Sequence, residues 1–95
     1  MYKMVDGVRQ NKRHPETFSV PNRGQKVAVK VQDYVKIGFI VENGTHRMWV
    51  SVTKIEGRKY FGILHNEPMG VDSKILKYGD KVEFESRHIL DIIPR

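Results

Sequence analysis

Cysteine is absent from all 95 residues of the chain. That excludes a disulfide scaffold, a thiolate zinc site and a cysteine nucleophile, and it suits a reducing cytoplasm. Long apolar runs are missing as well: Gly38 aside, none exceeds three residues, so no segment reads as a transmembrane helix. The opening stretch, MYKMVDGVRQNKRHP, has no apolar h-region and does not read as a signal peptide. The expectation is a cytoplasmic protein with no membrane partner. At this length a single hydrophobic core is all that fits, burying about two thirds of the unfolded surface.

Acidic residues are scarce in one third of the chain. Residues 1–30 carry seven Lys and Arg against two Asp and Glu, whereas the remaining residues carry ten against nine, so nearly all of the net charge of +6 lies at the front. A segment with such an excess attracts acidic surfaces or polyanions through a long-range field, or serves only as a solubilising arm. The chain thus divides into a basic segment, 1–33, expected to pack on a sheet, and a β region, 34–95, within one domain.

What is present from Tyr34 onward is a period of two, the mark of half-buried strands. Val35, Ile37, Phe39 and Val41 alternate with Tyr34, Lys36, Gly38 and Ile40. Asn43-Gly44 is the strongest short hairpin signal, because a type I′ turn needs positive φ at both central residues. A two-residue turn there sets Phe39 opposite Met48, Ile37 opposite Val50 and Val35 opposite Val52. A second turn at Glu56-Gly57 sets Val52 opposite Phe61 and Val50 opposite Ile63. The loop HNEPMGVDS comes next, then a strand with Val82 and Phe84 inward and Glu83 and Glu85 outward, then a closing strand or helical turn in HILDII. This pattern predicts a mainly β fold of four to six short antiparallel strands, a half-open SH3-like or OB-like barrel. Ahead of it lie an extended segment around Phe18 and Val20 and one short helix capped by Asn22, although Val27, Val29 and Val31 also alternate as a strand would.

The same register places Tyr34, Trp49, Tyr60, Leu64 and Ile40 on the second face, with Lys36, Arg47 and Lys59 among them, and lays Trp49 over Gly38. Such a face is too apolar to stand in water unaided. Either the N-terminal segment covers it, or part of it is open to a partner.

No catalytic constellation emerges. The four histidines, His14, His46, His65 and His88, lack zincin spacing; Glu83 and Glu85 read as solvated charges on an edge strand; and no nucleophile elbow or phosphate loop is present. His65 is expected opposite Met48, half buried at the end of the meander. The glycines Gly57, Gly62, Gly70 and Gly79 read as turn and bulge residues. The expectation is a protein that is not an enzyme and uses no cofactor or metal.

The segments HPETFSVP, DYVKIGF, RMWVSVTKIEG, GILHNEP, LKYGDKVEF and RHILDI, in that order, resemble the YegJ-like group of small bacterial and phage proteins of unknown function. The resemblance runs from about His14 to Ile93 and implies a shared fold without implying catalytic residues. NRGQKVAVKVQ departs from the group, whose members carry a longer, acidic helix ahead of the first strand.

The leading expectation is a protein-interaction adaptor or inhibitor, of the kind a phage directs at a host protein, holding an acidic protein surface. Arg9, Lys12, Arg13, Arg23, Lys26, Lys36 and Arg47 would supply charge, and Trp49, Tyr34 and Tyr60 contact area. The alternative is single-stranded nucleic-acid binding, with the basic arm on phosphates and the aromatics stacking bases.

Overall fold

The alternation beginning at Tyr34 becomes the spine of the molecule, described here over residues 1–95 in a computed structural model. The elements are β1 (Lys3–Met4), α1 (Gly7–Arg13), α2 (Arg23–Val27), β2 (Tyr34–Val41), β3 (Gly44–Glu56), β4 (Lys59–Leu64), β5 (Lys81–Glu85), a 3-10 turn (Ser86–His88) and β6 (Ile89–Ile93). Strands β2 to β5 form an antiparallel meander. Beyond the 3-10 turn, β6 returns to pair with the free side of β2, and β1 pairs with the same side further along. A meander whose last strand returns to its first curls into the half-barrel of SH3-like proteins, and it lacks the Greek-key crossing of an OB-fold. No helix is long and apolar enough to cross a membrane.

Inside the curl lie Val35, Ile37 and Phe39 of β2, Met48, Val50 and Val52 of β3, Leu64 of β4, Val82 and Phe84 of β5 and Ile89 of β6. Leu76 enters from the β4–β5 loop and Val29 from the segment after α2. Tyr2 sets its ring edge against Phe39 at 5.1 Å, and Tyr60 stacks on Phe84 at 5.4 Å, each adding a favourable quadrupole contact to the buried area.

Three details of register differ from the sequence reading. The first hairpin pairs Val35 with Val50, Ile37 with Met48 and Phe39 with His46, two residues away from the expected alignment. Glu42 and Asn43, not Asn43 and Gly44, make its turn, and only Gly44 has positive φ, at 133°. The Asn43 side chain is held by one long-range and one local bond instead. Its Nδ2 donates to the Gly70 carbonyl at 2.9 Å, and its Oδ1 meets His46 Nε2 at 3.1 Å.

The second hairpin turns at Gly57-Arg58, and its register shifts between Val52 and Lys54, leaving Thr53 as the extra residue of a bulge. Val52 therefore faces Gly62 and Val50 faces Leu64. The buried side of β4 carries Gly62 and Leu64, while Phe61 and Ile63 look outward.

The expected helix is α2, closed by a full capping box: the Asn22 side chain accepts from Gln25 N, and the Gln25 side chain accepts from Asn22 N. Helix α1 has no apolar stripe and stands on other supports. Asp6 caps it by accepting from Arg9 N at 3.0 Å, and Lys12 and Arg13 occupy the last turn, where the helix dipole favours cations.

Candidate functional site

The outer face of the sheet is where N-terminal segment and strands meet. Gly38 sits on it, and a Cβ there would lie 2.7 Å from Val5 Cγ2 and 3.2 Å from Leu90 Cδ1, so the bare backbone admits both side chains. Trp49 pairs with Lys36 and does not cover Gly38; Val5 and Leu90 do. The chain from His14 to Pro21 crosses nearby. Asn11 Nδ2 holds it by donating to the Phe18 carbonyl at 2.7 Å, and the Phe18 ring lies beneath the Arg47 guanidinium at 5.1 Å.

Between α1 and the strands this arrangement leaves a groove of about 730 Å³. Arg9 and Arg13, four residues apart on one face of α1, line one wall; Arg47 and Thr45 of β3 line the other; Met4, Val5, Phe18 and Ile40 supply apolar surface. Arg9, Arg13 and Arg47 are exposed, and none forms an ion pair. The one carboxylate in the lining is Asp6, whose oxygen is already engaged in capping α1. Three planar, permanently charged forks around an apolar floor suit bidentate recognition of carboxylate or phosphate. A second groove of about 830 Å³ lies on the α2 side and shares Arg47 with the first; Lys36, Val20, Leu90 and Asp91 are among its lining.

Along β3 the outward positions continue from Arg47 to Trp49 and Ser51, the last paired with Tyr34. Lys36 Nζ lies over the Trp49 indole at 4.8 Å. Tyr34, His65 and Tyr78 form a row, with centroids 5.2 and 5.6 Å apart. His65 is exposed in this row, its N–H donating to the Trp49 carbonyl, and is not opposite Met48.

Other nominated residues fall elsewhere. Tyr60 faces the interior through its stacking on Phe84, and its hydroxyl lies 3.5 Å from the Lys26 carbonyl. Leu64 is wholly buried. The bulge at Thr53 is the cause of both misplacements, because one extra residue flips every side chain beyond it. Lys26 is only 7% exposed; burial pushes its ammonium pKa down, partly offset by the Asp6 carboxylate. It therefore cannot serve as an open contact. Arg23 and Lys12 are exposed but line neither groove. Phe18 and Ile40, which floor the arginine groove, were not among the nominated contacts; the only sequence signal for Phe18 was an isolated aromatic between Pro15 and Pro21.

Burial also holds His88 below its usual pKa, with Arg87 adding to the effect. Its Nδ1 accepts from Glu85 N at 3.0 Å, so the ring's proton resides on Nε2 and the side chain closes the 3-10 turn.

No curated protein and no solved structure shows significant similarity to the chain. A family model described as "Uncharacterized protein conserved in bacteria (DUF2314)" matches residues 3–93, which takes in α1, the strap across the outer face and every strand. The chain therefore belongs to this bacterial family.

Proposed function

We propose that the protein is a non-catalytic interaction module that holds an acidic protein partner in the groove between α1 and the sheet. The observation that carries this reading is the convergence of Arg9, Arg13 and Arg47, none paired with a carboxylate, on an exposed cleft. Such a surface suits an adaptor or inhibitor, and we place that role in the cytoplasm, including as a phage product directed at a host protein. Within the family, the segments MWVSV and LKYGDKVEF support placement in the YegJ-like branch.

Nucleic acid is the second reading, favoured by the row Tyr34, His65 and Tyr78 on the same outer face. Two aromatic faces nearest the arginines are already engaged, however. Lys36 lies over Trp49 and Arg47 over Phe18, so a base would have to displace a cation to stack there. An acidic peptide needs no such displacement.

Fluorescence anisotropy with labelled poly-glutamate and a labelled single-stranded oligonucleotide tests the choice. The expected result is binding of poly-glutamate that falls by tenfold or more (about 1.4 kcal/mol per factor of ten) when Arg9 and Arg13 are both changed to Glu. Unchanged poly-glutamate binding in that variant, or preferential oligonucleotide binding that persists in it, refutes the proposal.

A further inference from the structure

Charge alone does not describe the arginine groove. Its walls are cationic, but its floor is the Phe18 ring with Ile40, Met4 and Val5, and Ile40 remains 39% exposed on an outer strand position. An acidic surface that merely approached the arginines would leave this apolar floor wet. A polyphosphate backbone would do the same, since it has nothing apolar to set between its charges. A peptide that places a large apolar side chain between carboxylates satisfies both parts at once.

The spacing of the walls fits that demand. Arg9 and Arg13 stand one helical turn apart on α1, and Arg47 faces them from β3. Carboxylates on both sides of a central side chain therefore have a guanidinium within the same cleft. Phe18 is fixed in its place by the Asn11 bond to its carbonyl and by Arg47 above its ring, so the floor is formed before a partner arrives. A preformed floor lowers the ordering cost of binding.

We infer that this groove selects linear acidic segments that carry a bulky apolar residue between their carboxylates, seating that residue on Ile40 with Met4 and Val5, beside the Phe18 ring that Arg47 covers. The inference rests on the reading of the groove as the site for an acidic partner, and it adds a sequence preference to that site.

The test compares two fluorescein-labelled peptides of mixed aspartate and glutamate, identical except for a central Leu-Phe pair in one and a central Ser-Ser pair in the other. The expected result is binding of the Leu-Phe peptide about tenfold tighter, the effect of one apolar side chain removed from water. The preference persists when salt weakens both peptides, because screening acts on charge and not on apolar burial. Ile40→Ser abolishes the preference while leaving the Ser-Ser peptide unaffected, and Arg47→Gln weakens both peptides. Because the peptides differ and the protein does not, the first comparison is free of any folding defect in a variant. Equal affinity for the two peptides overturns the inference and leaves the acidic-partner reading standing. A preference that survives Ile40→Ser also overturns it, since the apolar contact would then lie elsewhere. Failure of both peptides to bind overturns the inference together with the reading beneath it.

Discussion

Gly62→Ala lowers the stability of the protein by about 3 kcal/mol, the upper end of what overpacking usually costs. The thermal midpoint falls with it by roughly 10–25 °C for a domain of this size. A Cβ at residue 62 would lie 2.6 Å from the Ser51 carbonyl oxygen and would overlap Val50 Cγ1. The oxygen belongs to the backbone of the neighbouring strand, next to the bulge, and Val50 is wholly buried in the core. Neither side can yield without moving the β3–β4 ladder. Total stability for 95 residues is on the order of 5–14 kcal/mol, so the loss is a large share of it. Thermal unfolding followed by circular dichroism measures the effect. An unchanged midpoint would mean that Gly62 does not face Val52 and that the bulge is misplaced.

Asp33→Ala costs about 2–3 kcal/mol, within the range for losing hydrogen bonds to a charged acceptor. Asp33 is 3% exposed, and its carboxylate accepts from Lys30 N at 2.9 Å and Arg95 N at 3.0 Å. Its own N–H donates to the Lys30 carbonyl, and its carbonyl accepts from Val52 N. The side chain thus ties the turn after α2 to the segment after β6, beside the start of β2. The two backbone donors, Arg95 first, hold its pKa below the ordinary 3.8. A carboxylate with a depressed pKa stabilises the fold fully above its unfolded value and loses that contribution as pH falls through the folded one. The wild-type protein should therefore lose stability below pH 3.8 with a slope that Asp33→Asn reduces, the remainder coming from other carboxylates with lowered pKa, Glu56 and Asp80. Parallel acid-unfolding curves for the two proteins would contradict this role.

The core stripe was legible in β2, β3 and β5 because a buried face enforces a strict alternation, and Val35, Ile37, Phe39, Val50, Val52, Val82 and Phe84 are all in the core. Pairing was less legible. A slip of two residues keeps every side chain on its own face, so apolar pattern cannot separate Phe39 opposite Met48 from Phe39 opposite His46. Only the turn decides between them, and Asn43 is held there in part by the Gly70 carbonyl, a partner distant from the local sequence signal. In β4 the failure was of parity. The bulge at Thr53 inverts the facing of the later residues, moving Tyr60 and Leu64 to the inside, and a residue without a Cβ at 62 fits against Ser51 there. Gly62 reads as a turn or bulge residue from the sequence, which carries no signal of its partner.

The arginine groove was legible only in pieces. The excess of charge in residues 1–30 is plain, and Arg47 falls on an outward position of β3 in either register. That Arg9 and Arg13 share a helix face, however, depends on α1. That short helix rests on the Asp6 cap and has no apolar periodicity to announce it. Its docking beside Phe18 depends on Asn11, a contact seven residues apart across a proline-containing strap.

Chemical-shift mapping by NMR, titrating the acidic Leu-Phe peptide into the labelled protein, tests the placement of the binding surface most directly. The account predicts that amides of residues 9–13, 18, 40 and 45–47, which surround the groove, shift together and saturably while those of β5 stay still. Shifts concentrated at Tyr34, His65 and Tyr78, with the arginine groove silent, would contradict it.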